Sequence, residues 1–181
     1  MLSCLEATRI TLICATPGLL RAEATSRTAL AGALGVSIPD SWPADEVAGL
    51  ATLYADQLDS HPDHEGWLSW YATDKVLQCL VGSIGFKGPP CAGRVELGYS
   101  VLPLFQRLGY ATEMTTLLTC WALANVNADT VVARVVATNT ASLRVLSKAG
   151  FAQIGGLNEY HELTHEKRKT GERAQVECRN P

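Results

Sequence analysis

The sequence predicts a mixed α/β fold with a strand–helix–strand step at its centre. Three β-patterned segments follow one another over residues 67–101 with turn residues between them, which is typical of an antiparallel meander. A near-continuous apolar run at 131–136 lies between two helical patterns and suits a strand covered on both faces. With 181 residues and an apolar share of 47%, we expect one domain over 1–165 and a polar C-terminal tail over 166–181.

The first elements are predicted to be a strand at 9–13 and two helices. Thr16 and Pro17 have the N-cap and first-turn chemistry of a helix start, and this helix is expected to run toward Gly35. A second helix is expected after the segment 41–43. Its apolar stripe has helical spacing and consists of Val47, Leu50, Leu53, Tyr54 and Leu58.

The meander is predicted as three strands, at 67–71, 76–86 and 95–101. In the third strand, apolar side chains alternate with polar or small ones, so its two faces differ. Glu96 is therefore expected on the face opposite to the core.

The second half of the chain is predicted as helix, strand, helix and two strands. A helix at 109–125 carries Glu113 near its positive N-terminal end, where a carboxylate is favoured. The buried strand follows at 130–138. Asn139 and Gly150 have the chemistry of the first and last caps of another helix. Two short strands are expected to complete the sheet, at 151–154 and 159–164.

Charge and composition exclude several classes of partner. The net charge is −3 and the sequence pI is near 5.8, without a large basic cluster, so no nucleic-acid partner is expected. No apolar run reaches the roughly 18 to 20 residues that cross a bilayer, so no membrane association is expected. The six cysteines form no CxxC pair, and we expect reduced thiols in a cytoplasmic protein.

The loop at 102–112 gives the first chemical signal, because it leads into a helix N-terminus. Unpaired backbone N–H groups and a partial positive charge at such an end suit an anion such as a pyrophosphate. Gly109 and Ala111 permit a close approach, and Arg107 adds a cation. The sequence has neither the full GxGxxG of a dinucleotide fold nor a Walker motif. Many helices begin with small residues for packing alone, so the local pattern leaves a structural role equally open.

Four ordered motifs extend this signal. They are VGSIGF at 81–86, VELGY at 95–99, Gln106-x-x-Gly109-x-Ala111-Thr112-Glu113, and Asn139-x-x-Ser142-x-x-x-Leu146-x-Lys148-x-Gly150-Phe151. In this order and spacing, the chain resembles the GNAT superfamily of N-acetyltransferases, in the branch that includes the ribosomal-protein N-terminal (alanine) acetyltransferases. The resemblance covers residues 6–164.

The resemblance implies a central mixed sheet of about seven strands that splays between the fourth and fifth, with about four helices. It also implies that the pantetheine arm of acetyl-CoA lies in the splay and that the pyrophosphate meets the helix start. Asn139 and Ser142 would face the thioester, and no metal is implied. The cofactor-binding residues implied in this way are Tyr99, Val101, Leu102, Gln106, Arg107, Leu108, Gly109, Tyr110, Ala111, Thr112, Asn139 and Ser142.

The chain departs from the family pattern at two places. After the glutamine, many members have a glycine and then a basic residue, where this chain has Arg107 and Leu108. We expect backbone contacts to the cofactor to persist on a stiffer loop. The family's frequent tyrosine acid aligns with Leu146, which cannot donate a proton. By resemblance, Ser142 is then the candidate catalytic acid.

The expected reaction is direct transfer of an acetyl group from the thioester to a primary amine, either a protein N-terminus or a small molecule. No cysteine or serine lies in a recognisable nucleophile motif, which argues against a covalent intermediate. Glu96 is the first candidate for general base, although an exposed carboxylate or a partner for Arg94 is an equally open interpretation. Trp42 and Glu159 are the candidates for binding the acceptor, and Glu159 is also a second candidate base.

A non-catalytic acyl-CoA-binding sensor or regulatory domain is the main alternative, because Leu146 and the changed loop are compatible with binding without turnover. An interaction protein that has lost the ligand is a third hypothesis. His61 and His64 indicate a solvated turn and not a metal site, since no HExxH context surrounds them. We expect a monomer or a homodimer.

Overall fold

The computed structural model describes residues 3–45 and 47–170, and this part of the chain folds around one mixed sheet of eight strands. The strands are β1 (Cys4–Glu6), β2 (Ile10–Cys14), β3 (Ser69–Asp74), β4 (Cys79–Phe86), β5 (Arg94–Val101), β6 (Thr130–Val136), β7 (Ala152–Ile154) and β8 (Glu162–Arg168). They lie side by side in the order β1-β2-β3-β4-β5-β6-β8-β7. Neighbours from β1 to β5 are antiparallel, β5 and β6 are parallel, and β8 is antiparallel to β6 and β7. The predicted mixed α/β fold with its antiparallel meander is confirmed.

Five helices in the described part of the chain cover the two faces of the sheet. They are α1 (Pro17–Thr25), α2 (Arg27–Leu34), α3 (Leu50–Ser60), α4 (Tyr110–Ala124) and α5 (Thr140–Lys148). The α1 helix begins as predicted, because the Thr16 side chain accepts a hydrogen bond from Leu19 N–H. The prediction of one continuous helix up to Gly35 is wrong. Ser26 ends α1 and caps α2, since its hydroxyl accepts from Ala29 N–H at 3.0 Å.

The α3 helix starts later than the sequence predicts. It begins at Leu50, after a turn at 47–49, and not directly after residue 43. Leu53 is 59% exposed, whereas Ala51 and Ala55 are buried. Leu53 lies two residues from each of these alanines, which places it on the opposite side of the helix. The buried stripe therefore uses small residues that the predicted stripe did not include.

The start of β4 is also displaced, because the side chain of Asp74 holds a turn. It accepts hydrogen bonds from Val76 N–H at 2.9 Å and from Leu77 N–H at 2.7 Å. Both residues are exposed as a result. The strand predicted from residue 76 begins at Cys79.

The sheet continues beyond the domain boundary predicted at residue 165. Strand β8 runs through Arg168, and Glu166 within it is 7% exposed. Arg94 forms its ion pair with Glu166, and not with Glu96 as one interpretation of the sequence suggested. Residues 166–168, which were expected in the tail, therefore belong to the sheet, and residues 171–181 lie outside the described part of the chain.

The last strand begins at Glu162 and not at residue 159. The side chain of Asn158 accepts hydrogen bonds from Tyr160 N–H and Glu162 N–H, each at 2.9 Å. This contact turns the chain at residues 159–161, so the predicted start of the strand is wrong by three residues.

The sheet separates two hydrophobic clusters. On one face, α4 and α5 pack through residues such as Met114 and Leu146, both fully buried. On the other face, α1, α2 and α3 pack through Leu20, Leu30 and Ala55. Glu96 lies on the α1–α3 face of the sheet, as the predicted alternation requires, and its side chain is 13% exposed.

Three of the four tryptophans lie together on the α4 side of the sheet. The Trp121 ring is 4.8 Å from that of Trp67 and 5.4 Å from that of Trp70, measured between centroids. Phe86 packs on the same group. Trp42 lies on the α1–α3 side, edge-on to Tyr71 with a centroid distance of 6.1 Å. The two faces of the sheet thus have separate aromatic cores.

The parallel strands β5 and β6 separate after a short paired stretch. Pairing covers residues 94–96 of β5 and 130–132 of β6, although both strands continue beyond it. The splay expected between the fourth and fifth strands lies between the fifth and sixth, because β1 adds a strand at the front of the chain. This opening positions the candidate site.

Candidate active site

The opened edge of β5 directs backbone groups into the splay. Leu102 N–H donates to Val81 C=O at 2.9 Å, so the even-numbered residues of β5 bond to β4. Backbone groups alternate in direction along an antiparallel strand. The N–H and C=O groups of Tyr99 and Val101 therefore face the space between β5 and β6, where the resemblance places the pantetheine arm. The N–H of Leu102 is already used, and its side chain is fully buried.

A cavity of about 280 Å³, which we call the slot, occupies this splay. It is enclosed by β5, β6, the start of α5 and the start of β8. Its polar lining includes Tyr99, Arg134, Asn139, Ser142 and Glu162. The structure thus brings together three residues that the resemblance assigns to cofactor binding, which are Tyr99, Asn139 and Ser142.

Asn139 and Ser142 lie at the start of α5. Asn139 Oδ1 accepts a hydrogen bond from Ser142 N–H at 3.0 Å, so the predicted N-cap is confirmed. The Tyr99 hydroxyl donates to Ser142 C=O at 3.4 Å. Burial raises the pKa of Tyr99, and the contact with Ser142 opposes part of this rise. Leu146, at the position of the family's tyrosine acid, points into the core and is fully buried.

The N-terminus of α4 is uncapped by any side chain of the described residues. The first bond of the helix runs from Glu113 N–H to Gly109 C=O, which leaves the N–H groups of Tyr110, Ala111 and Thr112 outside its ladder. Gly109 has a φ of 89°, a conformation that residues with a side chain adopt at a cost. This end of the helix has the unpaired donors that an anion requires.

Arg9 holds the loop that leads into α4. Its guanidinium donates to Leu108 C=O and to the Glu113 carboxylate, each at 2.9 Å, and lies 4.8 Å from the centre of the Tyr110 ring. The Glu113 carboxylate also accepts from Arg9 N–H at 2.8 Å. These partners are 99 and 104 residues away in sequence, so motif analysis around α4 missed Arg9.

The other residues of this loop have distinct roles. Gln106 Nε2 donates to Val101 C=O at 3.0 Å, which occupies a carbonyl that faces the slot. Arg107 is exposed and adopts a φ of 63°. Tyr110 is 6% exposed and donates its hydroxyl to Asp74 at 2.7 Å. The side chain of Tyr110 therefore belongs to the core, and its N–H is the group that faces the helix end.

A second cavity of about 280 Å³, which we call the α-side cavity, lies between the sheet and helices α1 and α3. Trp42, which is 4% exposed, forms part of its wall, and Ser83 and Ser100 form part of its floor. Gly98 and Tyr99 line both this cavity and the slot. The two cavities thus meet at the edge of β5.

Glu96 lies between the two cavities. It is on the same face of β5 as Gly98, and its side chain is 13% exposed. Its carboxylate forms ion pairs with Lys87, which lines the α-side cavity, and with Arg134, which lines the slot. One carboxylate oxygen is engaged by each cation.

The acidic residues near the site differ partly from those expected. Glu159 lies in the exposed turn before β8, outside the described linings of both cavities. Glu162 lines the slot and accepts a hydrogen bond from the Asn158 side chain at 3.0 Å. Glu23 of α1 lines the α-side cavity. Sequence analysis missed Glu162 because its placement depends on where β8 begins, and it missed Glu23 because that residue lies outside every motif.

One group of potential metal ligands occurs among residues 3–45 and 47–170. Ligand atoms of His61, Asp63 and His64 lie within 4.8 Å of one another, on the turn after α3. Gln57 Nε2 already contacts His64 Nδ1 at 3.1 Å, and the group lies outside both cavities. The expectation that the reaction needs no metal stays a prediction. Over the same residues, no helix combines the length and apolarity required to span a bilayer.

The mixed sheet opens between two parallel strands, next to an uncapped helix N-terminus and a second cavity, which is the arrangement that the resemblance implied for an N-acetyltransferase. The family model described as acetyltransferase (GNAT) domain matches residues 22–152. This chain belongs to the GNAT acetyltransferase family, and the predicted superfamily is confirmed.

One curated relative is similar to about half of this chain. An uncharacterized N-acetyltransferase, YoaA, from Bacillus subtilis (strain 168) is 33% identical over 94 residues, which is 51% of this chain and 53% of that protein. The match therefore spans about half the length of this curated relative.

Two solved structures show the shared fold. The ribosomal-protein-S5-alanine acetyltransferase from Vibrio fischeri aligns with a TM-score of 0.67 at 15% identity, over 93% of this chain and 98% of that chain. RimL, a ribosomal L7/L12 alpha-N-protein acetyltransferase in complex with coenzyme A, aligns with a TM-score of 0.64 at 16% identity, over 92% and 98% of the two chains.

Proposed function

We propose that this protein is an acetyl-CoA-dependent N-acetyltransferase that transfers the acetyl group directly to a primary amine, either a protein N-terminus or a small molecule. The observation that carries the proposal is the meeting of the slot and the α-side cavity at Gly98 and Tyr99. A thioester in the slot and an amine in the α-side cavity would approach each other at this edge of β5. Holding two reactants in one geometry accounts for much of the acceleration of a two-substrate reaction.

The described residues fit acetyl-CoA at two places. The N–H groups at the start of α4, together with the helix dipole, suit the pyrophosphate. The slot-facing backbone of Tyr99 and Val101 suits the amides of the pantetheine arm, which would pair as an added strand. Gln106 must release Val101 C=O for that carbonyl to take part. Leu102 is left out of these proposed contacts, because its N–H is bonded to β4.

The transfer forms a bond between the amine nitrogen and the acetyl carbon, breaks the C–S bond, and requires a proton for the departing sulfur. We assign this proton to the pair of hydroxyls in the slot, those of Ser142 and Tyr99. Ser142 is implied by the family resemblance. Tyr99 joins it because its hydroxyl lies at Ser142 and a tyrosine hydroxyl carries its proton at neutral pH.

The amine must be neutral when it attacks. A lysine amine is neutral to roughly 0.1% or less at pH 7, whereas an α-amine is neutral to roughly 10%, so an α-amine needs less assistance. Glu96 is proposed as the base, directly or through water, because it lies between the two cavities. Since Lys87 and Arg134 hold its carboxylate oxygens, one of these ion pairs must open before Glu96 accepts a proton.

The reaction is proposed to take place in the cytoplasm. The six cysteines of the sequence form no CxxC pair, which supports reduced thiols in a reducing compartment. The proposed partners are the coenzyme A thioester and the amine, and the protein is expected to act as a monomer or a homodimer.

Thermal unfolding with and without acetyl-CoA is the first test. A ligand at 100 times its Kd stabilises the folded state by about 2.7 kcal/mol, which is a rise of about 5–11 °C in Tm for a domain of this size. Thiol release with amines and N-terminal peptides then measures turnover. Ser142→Ala and Tyr99→Phe are expected to lower kcat and to leave the Tm rise unchanged.

The outcomes of these two measurements separate the hypotheses. A Tm rise without turnover of any amine would favour the acyl-CoA-binding sensor or regulatory domain. An unchanged Tm at saturating acetyl-CoA would refute the proposal and favour an interaction protein.

A further inference from the structure

The wall of the α-side cavity contains a carboxylate, that of Glu23, which has no cationic partner among the described residues. Glu23 lines the cavity and accepts a hydrogen bond from the Tyr71 hydroxyl at 2.5 Å. The ion pairs formed within residues 3–45 and 47–170 all involve other carboxylates. Burial raises the pKa of Glu23, because the charged form loses solvation, and the Tyr71 hydrogen bond opposes this rise. A half-buried charge of this kind is stabilised when a cation reaches it.

Trp42 supplies a second unfilled polar group in the same wall. Its side chain is 4% exposed, and its Nε1 lacks a hydrogen-bond partner among the described residues. The indole N–H lies close enough to Glu23 to lower its pKa, although the geometry falls short of a hydrogen bond. Leaving a buried donor unpaired costs about 1–3 kcal/mol. The Glu23 carboxylate and the Trp42 indole N–H thus lie together in the wall of the α-side cavity.

The distance from Glu23 to the slot follows from the register of the sheet. Tyr71, Ser83 and Ser100 are direct cross-strand neighbours on β3, β4 and β5, so their side chains form a row on one face. Neighbouring strands lie about 4.8 Å apart, which places the Tyr71 end of this row about 10 Å from the edge of β5. Glu23 lies above that far end, through its bond to Tyr71.

Lys87 is the other charged residue in the described lining of this cavity. It is four residues beyond Ser83 along β4, which is about 13 Å at the rise of a strand. Its charge is paired with Glu96. The positive charge of Lys87 is thus distant from Glu23 and is balanced by the Glu96 carboxylate. It therefore causes little repulsion of a cation bound at Glu23.

We propose that the acceptor carries a second cationic group, which Glu23 binds about 10 Å from the amine that is acetylated. This inference rests on the proposed function, because it assigns the α-side cavity to the acceptor. The apolar wall from Leu20, Ala51 and Leu68 fits a hydrocarbon spacer between the two nitrogens. An aliphatic diamine and a peptide N-terminus followed by a basic side chain share this chemistry.

Acetylation of α,ω-diamines of increasing length, compared with the matched monoamines, tests the inference. The kcat/KM of the diamine whose length fits the cavity is expected to exceed that of its monoamine by at least about tenfold, or about 1.4 kcal/mol. Glu23→Gln keeps an acceptor for Tyr71 and removes the charge. It should abolish this preference by raising the KM of the diamine, with an unchanged Tm rise in acetyl-CoA.

The matched control is Asp56→Asn, which removes an exposed charge of α3 outside the described cavity lining and should leave the preference intact. N-terminal peptides with and without a basic residue after the first position form a second arm. A charge preference confined to the peptides identifies a protein N-terminus as the acceptor, and one confined to the diamines identifies a small molecule.

Calorimetric titration of the diamine into the protein saturated with coenzyme A gives a readout independent of turnover. Binding that is lost in Glu23→Gln supports the inference even if no amine is acetylated, a result that would count against the proposed function alone. Equal affinity for diamines and monoamines, or a preference that survives Glu23→Gln, would overturn the inference and leave the proposed function standing.

Discussion

A substitution at Gly98 is expected to raise the stability of the fold and to weaken binding of the acceptor. Gly98 lies where the two cavities meet, and the space beside it is open. A Cβ added at this position meets no heavy atom of the described residues within 4 Å. Glycine within a strand costs about 0.5–1 kcal/mol relative to alanine, and β-branched residues favour strands. Gly98→Val is therefore expected to raise the free energy of unfolding by about 0.5–1 kcal/mol and Tm by about 1–4 °C.

The same side chain should hinder the acceptor. Alternation along β5 directs the side chain of residue 98 to the α1–α3 face, opposite to that of Tyr99. Forcing extra methyl groups into a filled site costs about 1–3 kcal/mol, and here that cost arises when the acceptor is bound. The KM for the amine is expected to rise by about 5- to 150-fold.

Thermal unfolding followed by circular dichroism, and thiol release at varied amine concentration, measure the two effects. Gly85 is the direct cross-strand partner of Gly98, but a Cβ there would lie 1.7 Å from Leu68 C=O. Gly85→Ala is therefore the control and should lower Tm. An unchanged amine KM in Gly98→Val would refute the assignment of the α-side cavity to the acceptor. A lowered Tm in Gly98→Val would refute the conclusion that a side chain at residue 98 extends into open space.

Three further predictions concern a helix cap, a buried carboxyl group and the loop before α4. Asn139→Ala should lower the free energy of unfolding by about 1 kcal/mol in chemical denaturation, whereas Asn139→Asp, which keeps an acceptor for Ser142 N–H, should not. Because burial raises the pKa of Glu23, the folded state binds more protons than the unfolded state. Stability should therefore fall as pH rises from the ordinary value of 4.5 through the raised pKa. Glu23→Gln should flatten this dependence, and an unchanged slope would contradict the assignment. Arg9→Ala should release the loop at α4 and reduce the Tm rise in acetyl-CoA, while Arg21→Ala, which breaks an exposed ion pair elsewhere, should leave that rise unchanged.

The order of the elements could be predicted because its signals are local. Asn139 caps α5 and Gly150 adopts a φ of 80°, as their residue types indicate. Boundaries were mispredicted where one side chain competes with the regular ladder. Ser26 splits the first helical segment, and Asp74 holds the turn that delays β4.

The slot could be anticipated from its motifs, since Tyr99, Asn139 and Ser142 each lie within a short recognisable string. The α-side cavity could not, because its wall combines residues of α1, α3 and three strands that are distant in sequence. Glu23 has no local feature that distinguishes it from a solvated helix residue. Its character arises from the contact with Tyr71, 48 residues away, which only the packing of α1 on the sheet creates.

The separation of the tryptophans gives the protein a built-in optical reporter. Three indoles lie packed together on the α4 side, while Trp42 lies in the wall of the α-side cavity with its N–H unpaired among the described residues. A ligand that reaches this N–H changes the surroundings of a single fluorophore. A shift in fluorescence emission that disappears in Trp42→Phe would therefore report that the α-side cavity is occupied, independently of turnover. Candidate amines could then be screened for binding before any of them is acetylated.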